Sequence, residues 1–277
     1  LYLETIRRIK KITKRIARSL QITGPFNIQY IAKGNHIKVI ECNLRASRSF
    51  PFVSKITKIN FIDAAVKVMM GQDVKITKST IDLNYVGVKA PQFSFTRLKR
   101  ADPILSVEMA STGEVACFGK NLEEAFLKSM ISTGINFPKK KNVLLSIGGE
   151  ENKFRLFDYI EELNKAGFKI YATDDTSKFL DEYEIKNEMV YKAHNLHKEN
   201  NVLNLISDQK VDLVINIPSN KKREDKNEDT DGYNIRRKSV DFAIPLITDV
   251  NIAKLFISGI CKFTQEDLKI KSWDEYR

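Results

Sequence analysis

From residue 142 onward the chain alternates short apolar runs with stretches of helical period, and that rhythm leaves few ways to fold. "NVLLSI", "KIYA", "MVYK", "VDLVIN" and "IPLIT" read as buried strands. Between and after them, "KFRLFDYIEELNKA" (stopped by Gly167), "TSKFLDEY", "NVLNLIS", "IRRKSVDFA" and "VNIAKLFISGI" carry helical spacing. Parallel strands need a crossover long enough to hold a helix, so this alternation predicts an open parallel sheet covered by helices. "SNKKREDKNEDTDG" interrupts the rhythm with charge and no apolar face, and reads as a mobile insertion.

The first half has a different rhythm. Apolar residues recur at Leu3, Ile6, Ile9, Ile12, Ile16 and Leu20, a helix with one buried stripe and a basic back that ends near Gly24-Pro25. "FNIQYIAK" and "HIKVIECNL" alternate as strands joined by Gly34-Asn35, a tight hairpin turn. Helices around "FVSKI" and "FIDAAVKVMM" follow, the second ended by Gly71. Further on come strands "YVGVKAPQFSF" and "VACFG" and a helix "LEEAFLKSMIST" closed by Gly134, and "NFPKKKN" reads as a linker. The fold class is therefore α/β, with an α+β first domain over 1–138 and a parallel-sheet domain over 139–277.

The chain of 277 residues, 42% hydrophobic, can bury a core in each half. Its net charge of +11 comes largely from helical lysines and arginines such as those of "RRIKKITKRIARS", which reads as a solvated helix face. No aromatic-interleaved basic stripe accompanies them, so no nucleic-acid partner is expected. No run of about 18 apolar residues exists, so no membrane span is expected. Cys42, Cys117 and Cys261 lack metal-ligand spacing and read as inert core thiols of a reducing compartment. The chain starts within a helical pattern, at "LYLETIRRI", without a targeting segment, and reads as a fragment of a longer protein.

The chemistry of the first half centres on "KVIECNLRASRSFPF". Side chains alternate along a strand, so Glu41 and Asn43 share one face while Ile40 and Cys42 take the other, toward the core, and Gln29 across the hairpin can join the polar face. A carboxylate and two carboxamides are hard oxygen ligands suited to Mg²⁺ or Mn²⁺ with phosphate completing the shell. Arg45 and Arg48 can hold the remaining anion oxygens. The spacing also fits an ordinary rim salt-bridge cluster among Glu41, Arg45 and Arg48.

The stretches "GPFNIQYIAKGNHIKVIECNLRASRSFPFVSK", "EMASTGEVACFG" and "AFLKSMISTG" resemble the large chain of carbamoyl-phosphate synthetase, at the end of its second, carbamate-phosphorylating ATP-grasp unit. The resemblance implies that Gln29 and Glu41 bind metal and ATP, that Asn43 completes the second metal site, and that Arg45 and Arg48 bind the phosphate and carbamate end. No glycine-rich loop precedes Gln29, so the fragment is expected to hold one wall of the active site and to turn nothing over alone. The parent protein would be a ligase making carbamoyl phosphate from ATP, bicarbonate and ammonia or glutamine nitrogen. Its other partners would be upstream parts of the same chain and a glutaminase or ammonia source.

In an open parallel sheet, ligands sit beyond the carboxyl ends of the strands at the switch in strand order. "SIGGEE" offers Ser146 with flexible Gly148 and Gly149, "ATDDTSK" offers Thr173 and Thr176, and "INIPSNKK" offers Asn216, Ser219 and Lys221. Such groups form an anion pocket; Thr173, Asp175 and Thr176 also fit plain helix capping. His194 and His197 read as solvated loop residues. This half resembles the methylglyoxal-synthase-like allosteric domain that ends carbamoyl-phosphate synthetases, in which Thr173, Thr176 and Asn216 match effector-contacting positions. The effector implied is N-acetylglutamate, a phosphoribosyl donor, or a nucleotide of the UMP/UTP type.

"ECNLRASRSFPF" and "KSWDEYR" resemble the ammonia-type enzymes of the urea cycle, which implies a mitochondrial matrix address and arginine synthesis. "DFAIPLITD" resembles the pyrimidine-pathway enzymes instead, and Lys192, Ser219 and Gly232 depart from the ammonia-type activator pocket. A free-standing effector-binding module without catalysis is the alternative reading.

Overall fold

The computed structural model describes every residue except Arg48, 77–82, 106–109, Leu196, 220–229 and Arg277. Two compact units divide the chain, Leu1–Asn84 and Tyr85–Arg277. Most of the charged insertion expected at 219–232 lies outside the described residues.

The first unit runs α1 (Leu3–Ser19), β1 (Asn27–Lys33), β2 (His36–Asn43), α2 (Phe50–Thr57) and α3 (Phe61–Met69). Lys33 pairs with His36, so Gly34-Asn35 is a two-residue hairpin turn with Gly34 at φ +58°. Helix α1 docks on that turn: the buried Thr5 hydroxyl lies 3.0 Å from the Gly34 carbonyl and 2.9 Å from Asn35 Oδ1, and Thr13 and Tyr30 share a hydrogen bond of 2.7 Å. The apolar stripe of α1 is half-covered, with Leu3 and Leu20 exposed. Asn60 caps α3 by accepting from the backbone N–H groups of Ile62 and Asp63.

The second unit opens with an antiparallel hairpin, β3 (Val86–Gln92) and β4 (Gly113–Gly119), followed by α4 (Leu122–Ser132). The expected alternation then appears as β5 (Asn142–Ile147), α5 (Glu150–Lys165), β6 (Lys169–Thr173), α6 (Asp174–Glu182), β7 (Glu188–Val190), α7 (Val202–Ser207), β8 (Leu213–Ile217), α8 (Asp231–Asp241), β9 (Leu246–Ile247) and α9 (Val250–Lys262). All five strands are parallel, in the order β7-β6-β5-β8-β9, so the strand order reverses between β5 and β8.

Strand alternation sorts the core into two layers. Val143, Leu145 and Ile147 of β5 join Leu213, Ile215 and Ile217 of β8 on the face packed by α4, α5 and α9, while Leu144 and Val214 face Val202, Ile206 and Ile235 on the side of α7 and α8. At the α4–α9 contact, a Cβ added to Gly259 would sit 2.9 Å from Leu127 side-chain atoms, so the two helices touch where only glycine fits. This packing, with the clasp described below, draws residues 85–135 into the same compact unit as the parallel sheet. The compact units thus divide at Asn84/Tyr85, whereas the sequence reading set its boundary at the linker near 138.

Several details depart from the expectations. A register shift between Gln29 and Tyr30 breaks simple alternation in β2, and Ile40, expected to face a core, is 55% exposed. Cys42, Cys117 and Cys261 are free and half-buried rather than core residues, although burial raises the Cys261 thiol to about 11. Helix α6 begins at Asp174, two residues before the expected start, and β9 is only two residues long. Among the described residues no helix is long and apolar enough to cross a membrane.

Candidate functional site

The hairpin of the first unit brings Gln29, Glu41 and Asn43 together as expected. Gln29 and Glu41 are register partners, and cross-strand partners share a face. Asn43 Nδ2 donates to Glu41 Oε1 at 2.8 Å, which fixes Glu41 and Asn43 side by side. Gln29 and Glu41 are exposed and Asn43 half-buried. One carboxylate flanked by two carboxamides is a donor set that fits a hard divalent cation carrying phosphate. Among the described residues no three His, Cys, Asp or Glu side chains gather, so a cation here would need the amides and ligand oxygens. Arg45 is exposed and donates to the Ala46 carbonyl at 3.3 Å; Arg48 lies outside the described residues. Beyond the carboxyl end of β2, a largely apolar cavity of about 610 Å³ is lined by Pro25, Phe26, Ser47, Phe50 and Phe61 among others, with Ser47 Oγ buried and unpartnered.

The second site is built by strand register. Ser146 pairs with Asn216, and Leu145 pairs with Ala172, which sets Thr173 beside Ser146. Thr173, Ser146 and Asn216 thus form one row across β6, β5 and β8, with adjacent strands about 5 Å apart. All three sit on the α7–α8 face: Ser146 alternates with Leu145 and Ile147, Asn216 with Ile215 and Ile217, and Thr173 with Ala172, while Tyr171 shares its side. The row lies at the carboxyl end of the sheet and spans the switch between β5 and β8.

Burial and bonding then distinguish the residues. Thr176 is 1% exposed and its hydroxyl accepts from the Ile147 N–H at 3.0 Å, tying α6 to the end of β5. Thr173 occupies the N-cap position of α6, yet its side chain makes no capping bond. Gly148, expected to be flexible, is clamped: its N–H donates to the Ile217 carbonyl at 2.8 Å, and an added Cβ would meet the Ser219 backbone nitrogen at 2.5 Å. Ser219 is itself exposed at this contact, and Lys221 lies outside the described residues.

Charged pairs follow the carboxyl ends of β5, β6 and β7. Lys192 donates to Asp175 at 2.6 Å; that bond, opposed by burial and helped by Lys153 and Lys178, holds the Asp175 carboxyl below its ordinary range, and the same bond raises Lys192. Lys153, with its side chain 7% exposed, binds Glu150 at 2.6 Å. His194, expected to be merely solvated, is held by Asp231 through its backbone N–H at 2.9 Å and its ring Nδ1 at 2.7 Å.

Sequence reasoning missed the clasp behind Asn216. Arg236 of α8, 5% exposed, donates from Nη1 to Asn216 Oδ1 at 2.7 Å, while its Nε and Nη2 grip Asp102 at 2.7 and 2.6 Å. Its neighbour Arg237 places Nη1 within 3.1 to 3.2 Å of the carbonyls of Phe95, Leu98 and Ala101. No spacing signal links Asp102 to a residue 134 positions away.

The spans that hold these residues match known proteins. The carbamoyl-phosphate synthase L chain, ATP binding domain matches residues 1–77, and the MGS-like domain matches residues 155–248. In this order the two matches correspond to regions of carbamoyl-phosphate synthase large chains, to which the chain is similar. It is 46% identical over 265 residues to multifunctional protein pyrABCN of Emericella nidulans, covering 94% of this chain and 12% of that protein. Multifunctional protein ura1 of Schizosaccharomyces pombe is 47% identical over 263 residues, 93% of this chain and 12% of its own length. The human carbamoyl-phosphate synthase [ammonia], mitochondrial, is 43% identical over 273 residues, 95% of this chain and 18% of its own length. The chain thus spans between 12% and 18% of these relatives.

Proposed function

We propose that the chain acts as the C-terminal part of a carbamoyl-phosphate synthase, a ligase that uses ATP, bicarbonate and a nitrogen source. Residues 1–138 supply one wall of the carbamate-phosphorylating site, and residues 139–277 bind a regulatory anion. The observation that carries the reading is the shared face of Gln29, Glu41 and Asn43, within the span that matches the ATP-binding domain. Gln29 and Glu41 orient the ATP phosphates and, with Asn43, hold Mg²⁺ or Mn²⁺. The bound cation would supply charge neutralisation on the transferring phosphate. Arg45 and Arg48 hold carbamate and phosphate oxygens at the exit of the strand. Exposure of Ile31 at 58%, Val39 at 43% and Ile40 at 55% supports the view that this hairpin is one wall of a larger site, since a lone two-stranded sheet with bare apolar residues is marginal in water.

The effector reading rests on Thr173, Thr176, Ser146 and Asn216, with Ser219 at the rim. N-acetylglutamate and UMP or UTP share the anionic oxygens that such donors take. A mitochondrial, urea-cycle role and a pyrimidine role differ in effector and nitrogen donor, and calorimetry with each effector separates them. In the full-length protein, Glu41→Gln abolishes ATP-dependent carbamoyl phosphate formation with the fold retained by circular dichroism; unchanged activity refutes the assignment. Failure of the 277-residue chain to bind any of N-acetylglutamate, UMP, UTP or phosphoribosyl pyrophosphate refutes the effector site.

A further inference from the structure

We infer that Arg236 is a positioning residue of the effector site: it fixes the Asn216 carboxamide so that only its N–H₂ end faces the pocket, and it thereby restricts that subsite to hydrogen-bond acceptors. The inference deepens the effector reading above and rests on it. Asn216 is 3% exposed, and a carboxamide in such a place could present either its oxygen or its nitrogen. Arg236 decides between them. Its Nη1 donates to Asn216 Oδ1 at 2.7 Å, and the reversed amide would set N–H against N–H with no acceptor between them. The guanidinium cannot drift away to allow the reversal, because Asp102 grips its other edge through two bonds of 2.7 and 2.6 Å.

The nitrogen end has no protein partner among the described residues, although the side chain is almost wholly buried. Thr176 repeats the pattern. Its oxygen already accepts from Ile147 N–H, so what it offers a ligand is its O–H. Thr173 adds a hydroxyl with no capping bond. Three buried groups thus present donors in one region, and a phosphate or carboxylate has the acceptor oxygens they require. Gly232 belongs to the same device: a Cβ there would lie 2.9 Å from Arg236 Nη1 and 3.8 Å from Asn216 Oδ1, so a side chain would push on the bond that sets the amide.

The test uses the 277-residue chain and calorimetric titration with UMP, N-acetylglutamate and inorganic phosphate. Whichever of these binds the unaltered chain is then titrated into three variants. Asn216→Asp keeps the Arg236 contact but replaces the donor with an acceptor, and is expected to weaken binding at least about 100-fold without lowering the melting temperature. Arg236→Lys retains the charge but cannot span Asp102 and Asn216 together, and is expected to weaken binding at least about 10-fold. Gly232→Ala is expected to weaken binding with the charges untouched. Unchanged affinity in either Arg236→Lys or Asn216→Asp, whatever happens to melting, overturns the positioning role and leaves the effector site standing. Lack of binding of all three probes, and of UTP and phosphoribosyl pyrophosphate as well, by the unaltered chain overturns the effector reading and this inference together.

Discussion

Replacing Thr176 by valine isolates one hydrogen bond at the end of the central strand. Valine matches threonine in shape and removes only the oxygen, which accepts from the buried Ile147 N–H at 3.0 Å. Thr176 is 1% exposed and Ile147 4%, so water cannot replace the lost acceptor. Leaving a buried donor unsatisfied costs about 1–3 kcal/mol, and the N–H of a fully enclosed strand end belongs near the middle of that range, about 2 kcal/mol. With a urea m-value of about 2 kcal/mol per molar, the unfolding midpoint falls by about 1 M. Thr176→Ser keeps the acceptor and loses one methyl group, a cost of about 1 kcal/mol. The valine variant should therefore be the less stable of the two, and the only one to lose anion binding, since serine still offers its O–H to a ligand. Urea titration followed by circular dichroism measures both. If valine proves as stable as serine, the bond to Ile147 contributes nothing and the account of how α6 is tied to β5 is wrong.

Asp102→Ala should cost about 2–4 kcal/mol, toward the low end because the Asp102 side chain is 36% exposed, whereas that of Arg236, at 6%, is left with only Asn216; equal stability of the variant in urea refutes the clasp. Gly259→Ala should lose about 1–3 kcal/mol to overpacking against Leu127, less up to about 1 kcal/mol regained from helix propensity. In a Leu127→Ala background the alanine fits and the cost should fall, and an unchanged cost there refutes the close α4–α9 contact. At Glu124, burial raises the carboxyl, but hydrogen bonds from Lys128 and the Lys120 N–H outweigh it and hold the group below 4.5. A lowered folded value stabilises above the ordinary carboxylate range and is lost as pH falls through it, so Glu124→Gln should flatten the stability profile below about pH 4.5. Lys128 is opposed by burial yet raised above 10.5 by Glu124 and Tyr276, so its contribution is full below that value and disappears only at higher pH. A melting temperature that follows the same acid limb in the variant as in the parent refutes this assignment.

The strand–helix alternation made the parallel sheet legible because each buried strand must return through a helix, and the residue types obey that constraint locally. "NVLLSI" became β5 without a shift of boundary. The hairpin was legible from Gly34-Asn35, but the shift in pairing beside Gln29 was not, since a bulge is a property of the pair rather than of either strand. Ile40 was misplaced for that reason. Gly148 looked flexible because glycine often is, yet its absent side chain serves a close approach to Ser219, which only the fold reveals. The Asp102–Arg236–Asn216 clasp had no local signal at all. Each residue alone is an ordinary surface type, and only packing brings them together from three distant segments.

The polar residue near the carboxyl end of each strand had a stricter meaning than a hydroxyl or amide in a loop. In "NVLLSI", "KIYAT" and "LVINI", an apolar run is broken once, at Ser146, Thr173 and Asn216. Register places these breaks in a single row, and parity turns all three toward the α7–α8 face. A slip of one residue in any strand would turn its polar group into the opposite apolar layer, among Leu156, Ile160 and Phe256, where no partner could satisfy it. The donors that suit an anion also penalise the wrong register. On the proposed function, binding chemistry and strand pairing are therefore specified by the same three positions, and a substitution such as Asn216→Leu, which would relieve that penalty, would weaken both the proposed anion site and the uniqueness of the sheet around it.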